Sequence, residues 1–551
     1  MLLAPVGQSI PAETPHAVSV SLPTWKSNVG YEEGQEWVIT KMETGYPRFF
    51  IHKSITRLAE LIVADHGKLD EQAMLFPSRT IANRCLEFFR SKCTALEPHQ
   101  VRVVEFVPNP AKGTVEAMTK LSSGIAAVIF PKQQFGIAKA FWQHSGDGVS
   151  SRRAEFCERA YLDGALLVTE GVRGNRNSQT RMSKGPRRYR NPMVNNASPE
   201  RDGQTHSRTE PLPETSAESQ EFSQFVEERF GRNLAPSFVS NAKLAIKRRI
   251  AGSLTSDGDL HEALQTRENA ENVRQVKGIS EDDVYLYPTG MSSIFNTHRT
   301  LMKVRGEMKS ICYGFPYIDT LKILEKWGPG CIFYGNSSSE ELDDLESRLQ
   351  KGDKILALFC EFPGNPLLKC PDLRRIRRLA DTYDFAVVVD ETVGNFLNVH
   401  VLPMADVVVS SLTKVFSGDS NVMGGSSVLN PQGRYYETLK KTMEEDYEDN
   451  YWAEDAIFLE RNSRDFVTRI ERININAEAI CEVLRSHPRV KEVYYPKFSP
   501  TRPYYDDCRT PNGGYGGLLS ITFYSRGEAV SFFDALDTAK GPSLGTNFTL
   551  R

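Results

Sequence analysis

Asp390 closes the apolar run AVVVD, and Lys414, 24 residues further on, follows SSLT at the end of the next run, ADVVVSS. An anion and a cation at the ends of successive strands stand where open α/β sheets collect functional groups, outside the carboxyl ends of their strands. Each alone has a plainer reading, the aspartate as a helix cap and the lysine as an exposed surface cation. Together they suit pyridoxal phosphate chemistry. A lysine carries that cofactor as a Schiff base, and a carboxylate keeps the pyridine nitrogen protonated so that the ring accepts electrons. The stretch Tyr287-Pro288-Thr289-Gly290-Met291-Ser292-Ser293 follows a β-rich segment and opens a helical pattern, so its backbone N–H groups can cradle a phosphate. Tyr313, in CYGFPY, offers a flat ring for stacking, and Ser411 and Thr413 flank Leu412 with hydroxyls facing one way as the chain approaches Lys414.

The elements that must position these residues can be read from periodicity. From Tyr285 to Asn430 short apolar runs alternate with amphipathic segments, which predicts a mostly parallel sheet covered by helices. RRIRR at Arg374 to Arg378 resembles a basic patch, but Leu373, Ile376 and Leu379 share one helical face and leave the arginines on the solvated side. A long helical stretch from Asp455, followed by VKEVYYP and GLLSITFYS, predicts a smaller α+β carboxyl-terminal domain. The expected division is a flexible 1–24, an amino-terminal segment over 25–172, a linker over 173–220, a cofactor-binding domain over 221–450 and the small domain over 451–551. The linker is expected to be disordered, since its first half carries six Arg and one Lys without an acid and hydrophobics nearly vanish from it. LFPSRTIANRC (75–85) echoes LYPTGMSSIFN (286–296), but Arg79 stands where Gly290 would be, which argues against a second phosphate site.

The bulk numbers exclude several function classes. The chain has 551 residues, 25% charged and 40% hydrophobic, with a net charge of −3, so no whole-protein field holds it on nucleic acid or an anionic membrane. The basic half of the linker has no aromatic array, which argues against a single-strand platform. Nine scattered cysteines, without a C-x-x-C pair, fit reduced thiols and neither disulfides nor a zinc clamp, so no metal site is expected. No apolar run approaches 18 residues, and Met1 to Trp25 contains no Arg or Lys, as a signal or transit peptide would; the expected location is cytoplasmic.

Four motifs, EFPGNPLL (361–368), VVVDET (387–392), SLTKVFSG (411–418) and GPSLG (541–545), resemble in order and spacing the Cys/Met-metabolism family of pyridoxal phosphate enzymes. Within it the chain is most similar to the long, fungal-type cystathionine gamma-synthases, whose extra amino-terminal segment resembles SLPTWKSNVGYEEG (21–34) and GYPRFFIH (45–52). The resemblance implies the aspartate-aminotransferase-like (type I) fold. It makes Lys414 the Schiff-base lysine and proton shuttle, Asp390 the partner of the pyridine nitrogen, and Asn365 the partner of the ring oxygen. Gly290, Met291, Ser411 and Thr413 become phosphate ligands, Tyr313 the stacking ring and an acid or base near the substrate, and Ser543 a wall of the site beside the lysine. The family's Tyr-x-Arg pair, which reaches the phosphate from a neighbouring subunit, has its nearest counterpart in Glu227-Glu228-Arg229, where only Arg229 matches. A dimer or tetramer is expected on that ground. The family also places a substrate-carboxylate arginine beyond Ser-Leu-Gly, whereas this sequence ends at Arg551, so the small domain is expected to be truncated. The implied reaction joins O-acylhomoserine and L-cysteine to cystathionine in methionine biosynthesis. An O-acylhomoserine sulfhydrylase, a cystathionine lyase and an inactive cofactor-binding paralogue or regulatory partner are the rivals.

Overall fold

Successive residues of a strand face opposite ways, and in this chain that alternation divides the core into two layers about one sheet. The computed structural model describes residues 4–46, 50–93, 100–112, 123–169, 236–265 and 273–550; Arg229 and the expected linker over 173–220 lie outside them. Two sheets dominate. The amino-terminal one contains β1 (Glu71–Phe76), β2 (Arg102–Pro108), β3 (Ile125–Pro131) and β4 (Leu166–Val168), antiparallel in the order β1-β3-β2-β4. The larger one contains β5 (Val284–Tyr287), β6 (Ser310–Tyr313), β7 (Cys331–Tyr334), β8 (Ala357–Glu361), β9 (Ala386–Asp390), β10 (Val407–Ser411) and β11 (Gly425–Leu429). Its order is β5-β11-β10-β9-β8-β6-β7, parallel from β10 to β7 and antiparallel on both sides of β11.

The apolar runs are continuous because the large sheet is covered on both faces. Leu358, Cys360, Val387, Val389 and Val408 enter one core layer with Leu373, Ile376 and Leu379 of the helix Leu373–Tyr383. The arginines of that helix point outward as expected: Arg375 pairs with Asp343 and Glu346, and Arg377 with Asp381 and Asp406. Ala357, Phe359, Ala386, Val388 and Val407 enter the opposite layer. That second layer is completed by the helix Gly290–Arg305 and by the amino-terminal part of the chain, whose Phe76, Phe88, Phe141 and Trp142 lie in the same cluster.

Residues 4–169 and 236–550 therefore belong to one compact unit. Helices Arg79–Lys92 and Phe135–Ser145 stand between the two sheets, while Lys53–His66 and Ser151–Leu162 close a separate layer through Leu58, Ile62, Ala154 and Cys157. The sequence echo has a structural basis, since each copy is a strand, a hydroxyl cap and a helix. Ser78 accepts from Ile81 N at 3.3 Å as Thr289 accepts from Ser292 N at 3.1 Å, and Arg79 turns away to pair with Glu105. Towards the carboxyl end the 21-residue helix Phe466–Ser486 precedes an antiparallel pair, β12 (Val490–Tyr494) and β13 (Ser520–Phe523). Among the described residues no helix is long and apolar enough to cross a membrane.

Candidate active site

Strand register brings the chemistry to one edge. Val409 of β10 pairs with Asp390 of β9, and Asp390 pairs with Glu361 of β8, so three neighbouring strands end together. Asp390 Oδ1 accepts from Thr392 N at 2.9 Å and from Thr392 Oγ1 at 2.5 Å, and that same hydroxyl oxygen accepts from Ser411 N at 2.8 Å. A polar relay thus joins the end of β9 to the residue that opens SLTK. The next residue, Glu391, alternates away and forms a buried ion pair with Arg274 at 2.9 Å, each side chain 2% exposed.

Lys414 follows β10. Its Nζ donates to Ser543 Oγ at 3.2 Å and stands 4.5 Å from the centre of the Tyr46 ring. Gly545, with φ +91°, packs against the lysine stem so closely that a Cβ there would lie 2.9 Å from Lys414 Cβ. This explains the small residue after Ser-Leu in the GPSLG loop.

The start of the helix Gly290–Arg305 meets the same edge. A Cβ on Gly290 would lie 2.6 Å from Ser411 Cβ, so glycine is needed for the helix end to approach β10. Thr413 is buried, with Oγ1 donating to Gly424 O at 3.3 Å and accepting from Gly424 N at 3.2 Å. A cleft opens beside Gly290, Met291 and Thr413, and Tyr46, His52, Trp142 and Tyr317 are among its other walls. The start of a helix, a glycine cradle and two hydroxyl residues form a set that fits the phosphate of a pyridoxal cofactor.

Lys414, Ser543, Ser411, Thr413, Gly290 and Met291 are thus brought together, with Asp390 one strand away. Asn365 sits in the exposed loop after β8, its backbone N donating to Glu361 Oε2 at 3.3 Å. Tyr313, the expected stacking ring, is 2% exposed and donates its hydroxyl to Ser338 O at 2.9 Å. Burial pushes its phenol well above the usual tyrosine range, which disfavours ionisation. Tyr317, four residues later, lines the cleft instead. The reason is strand alternation at the end of β6, which sends Tyr313 inward with Ile311.

Glu361 opens the motif EFPGNPLL, which by itself assigns it no role. Its two carboxylate oxygens accept from Tyr317 N and Asn365 N, tying together the loops after β6 and β8. Burial and the neighbouring Asp390 charge push Glu361 up to about 8. Asp390 is also raised by burial, but its hydrogen bonds from Thr392 oppose the shift, so Asp390 is the member of the pair that more readily carries the charge. Tyr46 was missed as well. Its signal is in the sequence, since Tyr46 and Arg48 in GYPRFFIH have the family's Tyr-x-Arg spacing, which Glu227-Glu228-Arg229 lacks. Arg48, like Arg229, lies outside the described residues.

Residues 266–549 match the model of the family described as Cys/Met metabolism PLP-dependent enzyme, and residues 54–150 match that of the fungal trans-sulfuration enzyme, N-terminal domain. A cystathionine gamma-synthase of Neurospora crassa is 53% identical over 99% of this chain and 90% of its own length. A cystathionine gamma-synthase of Saccharomyces cerevisiae is 38% identical over 100% of this chain and 92% of its own length. An alanine racemase of Aspergillus violaceofuscus is 31% identical over 98% of this chain and 88% of its own. With its mostly parallel large sheet, its strand-end lysine and aspartate, and these matches, the chain belongs to the Cys/Met-metabolism family of pyridoxal phosphate-dependent enzymes.

Proposed function

We propose that this chain is a transferase that makes cystathionine, replacing the acyloxy group on the γ-carbon of an O-acylhomoserine by the sulfur of L-cysteine. The observation that carries the reading is Lys414 Nζ held by Ser543 Oγ at 3.2 Å, at the same sheet edge as Asp390 and the Gly290 cradle. The 53% identity to the Neurospora relative along nearly the whole chain supports this choice of substrates.

Gly290, Met291, Ser411 and Thr413 would hold the cofactor's phosphate, Asn365 its ring oxygen and Asp390 its ring nitrogen. When bound, the pyridoxal ring supplies an electron sink that stabilises negative charge beside the substrate's α-carbon. The protein's share is proton handling and orientation. Lys414 Nζ takes the α-proton, and Ser543 Oγ, accepting from an N–H of Nζ, aims the amine's lone pair. A β-proton passes to solvent, and the carboxylate departs with the electron pair of the Cγ–O bond. The cysteine thiolate then forms the Cγ–S bond, solvent returns the β-proton and Lys414 returns the α-proton.

Assembly into a dimer or tetramer and a cytoplasmic location belong to the same proposal. All nine cysteines are free, which supports a reducing compartment. The deciding experiment supplies purified, cofactor-loaded enzyme with an O-acylhomoserine and either cysteine or sulfide. Cystathionine from cysteine is expected, and turnover with sulfide alone would replace the proposal by a sulfhydrylase. Elimination without any thioether product would point to a lyase. A chain that binds the cofactor, shows the visible band, loses it on Lys414→Ala and yet turns over neither acceptor would be the inactive paralogue.

A further inference from the structure

We infer that Glu361 is a positioning residue: its carboxyl clamps the loops after β6 and β8 to each other, and so sets Asn365 and the cleft wall at Tyr317 relative to Asp390. The inference rests on the reading of Lys414, Asp390 and Asn365 given above, which leaves Glu361 without a part.

The clamp is made to backbone on both sides. Glu361 ends β8 in register with Asp390 at the end of β9, and the next residue extends the ladder, Phe362 N donating to Asp390 O at 2.9 Å. One carboxyl oxygen accepts from Tyr317 N and the other, at 3.3 Å, from Asn365 N. The two loops abut beside it, since a Cβ on Gly364 would lie 3.3 Å from Phe315 O. The turn of the second loop is closed by Gly364 N donating to Lys369 O at 3.0 Å and Leu368 N donating to Gly364 O at 2.8 Å. Its far side is held by Ser520 of β13, whose Oγ donates to Pro366 O at 2.7 Å. Glu361 joins this turn, on its inner side, to the sheet edge that carries Asp390.

The electrostatic setting separates the clamp from ordinary loop packing. Among the described residues Glu361 has no ion-pair partner, and the charge beside it is that of Asp390, of the same sign. A second carboxyl next to the proposed partner of the ring nitrogen opposes ionisation of both groups. A glutamine of nearly the same volume would remove that opposition. It would also offer a single acceptor oxygen and turn its amide nitrogen towards an N–H, whereas both oxygens of a carboxyl keep a lone pair in either protonation state. The residue type thus serves two acceptor positions at an electrostatic cost, a local conflict of the kind found at functional sites. The ring oxygen and ring nitrogen of the cofactor lie in one rigid plane. Slack in the loop after β8 therefore misorients that plane relative to Lys414 without removing any cofactor ligand.

Hydrogen exchange and kinetics test the inference together. In Glu361→Gln enzyme loaded with pyridoxal phosphate, at least one of the peptides covering 314–318 and 363–367 should exchange about tenfold faster or more, with β8 and β9 unchanged. Turnover per bound cofactor should fall about tenfold or more, while KM for the O-acylhomoserine moves less than about threefold. Added to Asn365→Ala, the same substitution should lower turnover by less than about threefold further, because the side chain it positions is already gone. A full second tenfold loss would overturn the inference. So would unchanged exchange in both peptides, or a loss of turnover that only tracks lost cofactor. Glu361→Asp keeps the acid but is one methylene short of spanning both N–H groups, so it should behave as the glutamine variant does. Parental turnover there would show that charge and not reach matters, and would also overturn the inference. A parent enzyme that lacks the visible band, or keeps it after Lys414→Ala, would instead bring down the cofactor reading, and exchange in the cofactor-free protein would still accept or reject the clamp.

Discussion

Asp390→Asn separates charge from shape at the proposed nitrogen partner. Asp390 Oδ1 accepts from Thr392 N and Thr392 Oγ1, and an asparagine Oδ1 accepts both, so the relay to Ser411 N survives. What disappears is the anion. A carboxylate at a hydrogen-bond distance of about 3 Å from a protonated ring nitrogen, at an effective dielectric near 20, interacts by about 5 kcal/mol. Partial solvation at the strand edge reduces this to about 4 kcal/mol, or a loss of about 10³-fold in turnover. Cofactor retention should change far less, because Gly290, Met291, Ser411, Thr413 and Lys414 are untouched. The assay is turnover of O-acylhomoserine with cysteine, read beside the visible absorbance of bound cofactor. Turnover within about threefold of the parent, less than about 1 kcal/mol, would refute the assignment. Glu391 is poorly placed to rescue the variant because it is committed to Arg274 at 2.9 Å. Residual activity would then point to Glu361, the strand neighbour whose oxygens otherwise hold Tyr317 N and Asn365 N.

Three further outcomes follow from the same geometry. Gly290→Ala places a Cβ 2.6 Å from Ser411 Cβ, so the helix start must retreat from β10, and equilibrium dialysis should show at least about tenfold weaker cofactor binding, ~1.4 kcal/mol. Arg274→Leu leaves Glu391 as a buried, unpaired acid 2% exposed and should cost about 3–5 kcal/mol in urea unfolding, with Glu391→Gln in the same chain recovering part of it. Glu361 has its folded-state value raised from 4.5 to about 8, so as pH rises through that interval the unfolded chain releases its proton first. The folded state's advantage therefore shrinks towards about pH 8 and levels off above it, and Glu361→Gln should flatten that slope in unfolding of the cofactor-free protein.

Lys414 and Asp390 were legible because each ends an apolar run, and parallel strands place such ends side by side whatever lies between them. Gly290, Ser411 and Thr413 were legible for a related reason, since hydroxyl and glycine turns at strand ends have few alternatives. Tyr313 shows where that logic stops. Knowing that a residue ends β6 does not say which face it takes, and a one-residue difference exchanges core for cleft. Tyr46 is 368 positions from Lys414, and no local pattern links them; only its Tyr-x-Arg spacing carried a signal. Glu361 lay inside a quoted motif, yet its part in joining two loops depends on strand register, which a single sequence does not state.

The amino-terminal part was the least legible, for a physical reason. Its helices Arg79–Lys92 and Phe135–Ser145 carry ordinary amphipathic spacing, which predicts an apolar face but not its partner. A parallel sheet requires cover on both faces, and on the face with Phe359 and Val388 the catalytic part's own helix Gly290–Arg305, through Phe295, shares the cover with the amino-terminal part. Phe76, Phe88, Phe141 and Trp142 supply the rest. Once those side chains cover that face, the turn after the helix Phe135–Ser145 lies directly on the cap of the cradle helix, at Gly146 and Thr289. The positioning contact is thus a geometric consequence of covering the sheet. For the same reason, a chain lacking residues 4–169 should expose part of the catalytic core, so its failure to turn over would not by itself identify which amino-terminal residue acts in the site. Point substitutions at Tyr46 and Gly146, which leave the shared core in place, are the informative perturbations.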